Sequence, residues 1–94
     1  MAGKAKIKTK NRFCAEALTF DDGALVHVLC GEHDKHIKLI EKSLAVSVSI
    51  RGQEVHIRGA EEAVFRAKRL LQNLYFVLES GRALGLDDIE HAIT

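Results

Sequence analysis

The stretch LCGEHDKHIKLIE, Leu29 to Glu41, decides how the rest of the chain is read. Gly31 interrupts one apolar run, five polar residues follow, and a new apolar period opens at Ile37. Ile37, Ile40 and Leu44 recur at spacings of three and four, which is one face of a helix. Asp34 stands where an N-cap belongs, because a short carboxylate there accepts from the free N–H groups of a first turn. The quartet Gly31-Glu32-His33-Asp34 is therefore a tight corner between two elements.

What lies before the corner is ambiguous on residues alone. Val26 and Val28 in ALVHVLC favour a strand; the capping pair Asp21-Asp22 before it and Gly31 after it favour a short helix. Further upstream, FCAEALTF reads as a strand over 13–20. Downstream the pattern is firm. AVSVSIR alternates strictly, with Val46, Val48 and Ile50 on one side and Ser47, Ser49 and Arg51 on the other. EVHIR repeats the alternation over 54–58, with Val55 and Ile57 inward and Glu54, His56 and Arg58 outward. Gly52-Gln53 between them is a two-residue hairpin turn. A long helix follows, with Val64, Ala67, Leu71, Leu74 and Leu78 as its core stripe and Gly81 as its stop. LDDIEHAI, 86–93, is a short last helix that packs Ile89 and Ile93. Three strands, at 13–20, 45–51 and 54–58, with a helical layer make an α+β two-layer sandwich.

Composition bounds the possibilities. Ninety-four residues make one domain, large enough for a modest core. No apolar run approaches the ~18 residues of a membrane span, so no membrane partner is expected. Two cysteines, Cys14 and Cys30, do not form a disulfide framework, and a reducing, cytoplasmic setting follows. The formal charge of +1 hides a split. Lys4, Lys6, Lys8, Lys10 and Arg12 lie in 1–12 with no acid; the other nine basic residues meet all thirteen acids in 13–94, a balance of −4. Residues 1–12 are read as a basic disordered tail, either a solvated arm or one that seeks phosphates, and 13–94 as the folded domain.

The order of elements resembles the KH domain (type I), a binder of single-stranded nucleic acid with a GxxG loop. ALTF stands at its first strand, DDGALVHVLC at its first helix and GEHD at the GxxG corner. Ile57, Gly59, Val64 and Ala67 match its I-x-G-x-x-x-x-V-x-x-A pattern. The resemblance makes ALVHVLC a helix. A closer likeness is to the N-terminal KH-like domain of PhoH-like proteins, carried by LCGEHDKHIKLIEKSLAVSVSIRGQEVHIRG, by NLY at Asn73 to Tyr75 and by LDDIEHAI, across about residues 16–93. That resemblance implies an RNA-binding module of an ATP-binding protein active in RNA metabolism. Its P-loop ATPase domain would follow this module and hold ATP and Mg. No G-x-x-x-x-G-K-[ST] occurs in this sequence, so the chain is expected to end at Thr94 short of that domain, as a piece of a longer protein. It is not expected to be an enzyme or to hold a cofactor by itself. The implied partners are single-stranded RNA, the downstream ATPase domain and, for the whole protein, further copies of itself.

The corner departs from GxxG. Gly31 is kept, but Asp34 replaces the second glycine and Glu32-His33 the variable pair. A carboxylate there repels phosphate, and a Cβ restricts backbone approach. The candidate nucleic-acid residues are Gly31, the stripe Lys35, Lys38 and Lys42 on one side of the second helix, and Arg51 and Arg58 on the strands. An ordinary solvated face, tempered by Glu32 and Glu41, is the competing reading. The aromatics Phe13, Phe20, Phe65, Tyr75 and Phe76 are expected mainly on core faces, which argues against base stacking. Cys30, His33 and His36 are spaced by three, but they straddle a helix boundary and lack a fourth donor. They read as a buried thiol and two surface imidazoles, with no metal site and no catalytic residues. The alternative function is a protein-interaction module that packs on the ATPase domain or a neighbouring subunit.

Overall fold

The computed structural model describes residues 12–93. The part of the basic tail before Arg12, and Thr94, lie outside these residues. Strand β1 (Phe13–Thr19) leads into helix α1 (Gly23–Cys30), a single 3-10 turn (Glu32–Asp34) and helix α2 (Lys35–Leu44). Strands β2 (Val46–Arg51) and β3 (Glu54–Ala60) form a hairpin, followed by α3 (Glu61–Glu79) and α4 (Leu86–Ile93). The sheet order is β1-β3-β2, antiparallel throughout. The architecture is the KH-like two-layer sandwich that the element order implied, and ALVHVLC is a helix.

Local chemistry explains the boundaries. Asp22 caps α1, its Oδ1 accepting from the N–H groups of Ala24 (2.9 Å) and Leu25 (3.4 Å). Gly52 opens the hairpin turn at φ 63, a conformation that costs glycine nothing. Helix α3 ends on paired bonds, from Gly81 N–H to Leu78 O and from Arg82 N–H to Val77 O. Strand β3 continues two residues past the expected 58, because β1 pairs with it as far as Phe13↔Ala60.

One face of the sheet carries Leu18, Val46, Val55 and Ile57 into the core, where they meet Leu29 of α1, Ile37, Ile40 and Leu44 of α2, and the α3 stripe. Each such side chain contributes roughly 1.5–3 kcal/mol through burial. Ile89 of α4 closes the core, with Ile93 packed at its margin. Phe20 stacks on Tyr75 with ring centroids 4.2 Å apart, and the Tyr75 hydroxyl accepts from Asp22 N–H at 3.0 Å. Gln53 ties the hairpin tip to the end of β1, its Nε2 donating to Phe20 O and Asp21 O. The other sheet face is open. It presents Phe13, Ala15, Ala17 and Thr19 from β1, Ser47, Ser49 and Arg51 from β2, and Glu54, His56 and Arg58 from β3.

Candidate nucleic-acid interface

The corner between α1 and α2 keeps a glycine-like backbone without its second glycine. Gly31 adopts φ 80, ψ 170, and both His33 (φ 56) and Asp34 (φ 57) are left-handed. Asp34 does not cap α2. Its left-handed backbone leaves the side chain without a capping hydrogen bond, while its N–H donates to Gly31 O at 3.1 Å. The first-turn N–H groups of α2 thus have no side-chain cap, which corrects the sequence reading.

His36 is a second correction: it is buried, not at the surface, at 3% exposure. Its Nδ1 bonds Leu29 O at 3.1 Å, which makes Nδ1 the donor and leaves Nε2 unpartnered in the interior. The ring lies flush against Gly31, where an added Cβ would come within 2.8 Å of it. Glycine at 31 is therefore required by a packed imidazole as well as by the turn. The spacing carried a signal that was missed: His36 stands four residues before Ile40, one helical turn, on the apolar side of α2.

A cleft of about 390 Å³ runs from the corner to the hairpin, lined by Val26, His27, Cys30, Asp34, Ile50 and Gly52. Burial, and after it the Asp34 carboxylate, push the Cys30 thiol up to about 11. A thiol held protonated is a poor nucleophile. Cys30, His33 and His36 do not converge: Cys30 lines the cleft, His36 is committed to Leu29 and His33 is exposed beside Glu32. Two residues from Ile50 along β2, outside the cleft's lining, the N–H of Val48 is taken by Glu41, whose Oε2 accepts at 2.8 Å. The cleft thus offers apolar walls, one imidazole (His27) and one carboxylate (Asp34).

The charged candidates fall on two surfaces. Lys35, Lys38 and Lys42 are all exposed, on the side of α2 turned away from Ile37, Ile40 and Leu44, and none has an acidic partner among the described residues. Glu41 and Glu32, which were expected to temper them, are engaged with Val48 N–H and His33. Arg51 and Arg58 project instead from the open face of the sheet, where the Arg58 guanidinium lies 5.5 Å from the centroid of the Phe13 ring. They do not join the lysine stripe.

The aromatic expectation holds only for Phe20 and Tyr75. Phe13 (65% exposed), Phe65 (55%) and Phe76 (70%) stand in solvent. Phe65 and Phe76 are eleven residues apart, three turns of α3, and lie together on the side turned away from its core stripe.

No protein-family model matches the chain. The PhoH-like protein of Bacillus subtilis (strain 168) is 32% identical to it over 65 residues, 69% of this chain and 20% of that protein. The chain belongs to the PhoH-like proteins, as one domain. The PhoH-like protein of Mycobacterium tuberculosis (strain H37Rv) is 28% identical over 69 residues, 73% of this chain and again 20% of the relative. The domain spans about a fifth of the length of the curated relatives it matches, in their N-terminal part. Among solved structures, a protein of unknown function from Aeropyrum pernix superposes with a TM-score of 0.66 over 86% of this chain and 47% of its own, at 17% identity, which is a likeness of fold. Among the described residues, no helix is long and apolar enough to cross a membrane.

Proposed function

We propose that this PhoH-like domain is a weak, electrostatic binder of single-stranded RNA, working in the cytoplasm beside the ATPase portion of a larger protein. The observation that carries the reading is the stripe Lys35, Lys38 and Lys42: three ammonium groups without an acidic partner among the described residues, on one exposed side of a ten-residue helix. The stripe starts at the corner, where the α2 N–H groups have no side-chain cap and favour anions. The Asp34 carboxylate in the cleft repels phosphate and Glu41 holds the Val48 donor nearby, so the attraction falls to the lysine stripe and takes the form of phosphate contacts rather than base reading. Such contacts position a strand without specifying its sequence. ATP chemistry is assigned to the rest of the PhoH-like protein, because this chain has no phosphate loop with its lysine.

Titration with single-stranded RNA at several salt concentrations tests this. Affinity should fall steeply with salt, by about 0.7 log units per log unit of salt for each phosphate neutralised. Lys35→Ala, Lys38→Ala and Lys42→Ala together should flatten that slope by about 2. If the triple variant binds like the parent while removal of residues 1–12 abolishes binding, the helix stripe is not a nucleic-acid surface. The second reading, a protein-interaction module, would then stand. It is favoured by the Asp34 carboxylate at the corner and by the exposed aromatic flank of α3.

A further inference from the structure

The sheet face turned away from the helices has an uneven build. Its central strand, β3, carries His56 with Ala17 and Ser49 on either side, and Arg58 with Ala15 and Ser47 on either side. All four flanking residues are exposed. Alanine is a poor strand former, so sheet stability does not account for it at these positions. The small flanks leave the planar groups of His56 and Arg58 standing above their neighbours.

Three flat groups follow one another along this face. The Phe13 ring, 65% exposed, lies 5.5 Å from the Arg58 guanidinium. His56 stands two residues before Arg58 on the same side of β3, a spacing of roughly 7 Å. The imidazole is held in place, because its Nε2–H donates to Glu54 Oε1 at 3.0 Å. That bond also engages Glu54, the acid of this face. Arg51, opposite Glu54 in the hairpin, and Arg58 have no acidic partner among the described residues. In sequence, the basic run Lys4, Lys6, Lys8, Lys10 and Arg12 leads directly into Phe13.

We propose that this open face is a second contact surface for single-stranded RNA, one that takes bases where the lysine stripe takes phosphates. The proposal rests on the RNA reading above and extends it to a surface in which α2 has no part. Bases stack on aromatic rings, imidazoles and guanidinium planes whatever their identity. Phe13, Arg58 and His56 thus offer a strand successive platforms without a sequence preference, and Arg51 meets its phosphates. The charge is complementary, since two arginines remain once Glu54 is engaged by His56. A protein partner is the poorer match: one phenylalanine among alanines and serines supplies little of the apolar area that an interface core buries. Arg51 and Arg58, which do not join the lysine stripe, act here on a surface of their own.

Titration of the full chain with a single-stranded RNA, and with an abasic ribose-phosphate strand of the same length, at low and high salt, tests this. The parent should bind the base-bearing strand about tenfold more tightly, and the ratio should persist at high salt, because stacking does not depend on counterion release. Phe13→Ala with His56→Ala should bring the ratio to about one and leave the salt slope as it is. Arg58→Lys, which keeps the charge and removes the plane, should lower the ratio with the slope unchanged. Ser49→Glu adds a carboxylate to the face without removing a contact and should lower the ratio too; circular dichroism checks that each variant is folded. The triple Lys→Ala variant of α2 should do the reverse, flattening the slope and keeping the ratio. In NMR spectra of the parent, the amide signals of Ala17, Ser49 and His56 should move with RNA and stay with the abasic strand. Equal binding of the two strands by the parent overturns the sheet-face site and leaves the lysine stripe standing. So does a ratio that survives the Phe13 and His56 changes, or that vanishes in the lysine variant while the sheet signals stay still. A parent that binds neither strand overturns both readings.

Discussion

Along β2, the outward N–H of Val48 is occupied by the Glu41 carboxylate, and α2 packs beside the strand. Along β1, the outward groups of Phe13, Ala15, Ala17 and Thr19 have no partner among the described residues, and the side chains beside them are alanine, threonine and phenylalanine. The same three-stranded sheet thus ends once in a guarded edge and once in an open one. The guarded edge flanks the cleft and the lysine-bearing helix; the open edge flanks the exposed aromatics of α3. A domain that uses two surfaces for two kinds of contact would be built this way. Charge dominates on one side, backbone and apolar groups on the other.

Both edges hang on β3, and the largest effect is expected there. Ile57 is fully buried on the strand that both neighbours pair with. Ile57→Ala should cost about 3 kcal/mol, the lost transfer energy plus the cavity left behind. If the edges are two sides of one cooperative unit, urea denaturation followed by circular dichroism and by Tyr75 fluorescence should shift together to a lower midpoint. Separated transitions would show that the edges melt independently and that the contrast is one of local stability.

Cys30 sharpens the comparison on the guarded side, where it lines the cleft with Ile50 and Gly52. Its thiol is pushed up to about 11 from an ordinary 9.0, first by burial and then by Asp34. Between those values the unfolded chain releases the proton while the folded chain keeps it. The contribution to stability is therefore complete below pH 9 and is lost as the pH rises towards 11, on the order of 2 kcal/mol in all. Urea midpoints at pH 8, 9.5 and 11 should fall in that order. The fall should be smaller in Cys30→Ala by about this amount, which separates the thiol from lysine and tyrosine titration. An identical fall in both proteins would mean that water reaches the thiol and the cleft is open.

The elements were legible because they rest on local periodicity. The alternation of Val46–Val48–Ile50 and Val55–Ile57, and the three-four spacing of Ile37–Ile40–Leu44, hold whatever the neighbours do. Helix α1 was not legible from its residues: eight residues with two valines carry too weak a period, and the order of elements around it decided the matter. The site was legible as a list of charges but not as a surface. Lys35, Lys38 and Lys42 share a side by helical geometry alone, whereas Arg51 and Arg58 point away because strand alternation turns them to the open face. The left-handed Asp34 and the reach of Glu41 to Val48 depend on backbone geometry and packing that spacing does not encode, whereas His36 stands one helical turn before Ile40 and its burial could have been read. One signal was available for Phe65 and Phe76. Neither falls on the three-four spacing of Val64, Ala67, Leu71, Leu74 and Leu78.

The smallest effect concerns the guard itself. Glu41 is half-buried, and its carboxylate accepts a hydrogen bond from Val48 N–H. Glu41→Ala removes the acceptor and uncovers an edge donor that water can then reach, so the cost should be about 1 kcal/mol, less than that of a fully buried donor left bare. Amide hydrogen exchange followed by NMR reads the two edges directly. In the parent, Val48 should exchange slowly at any protein concentration, because its partner belongs to the same chain. Ala17 should exchange quickly, because its N–H has no partner among the described residues. Glu41→Ala should speed Val48 exchange by about fivefold, as expected from ~1 kcal/mol of lost local protection, and leave Ala17 unchanged. If Val48 is as fast as Ala17 in the dilute parent, the carboxylate does not guard the edge and the two sides of the sheet are equivalent. If Ala17 is as slow as Val48, the β1 edge is covered from within the chain and the contrast between the two edges disappears.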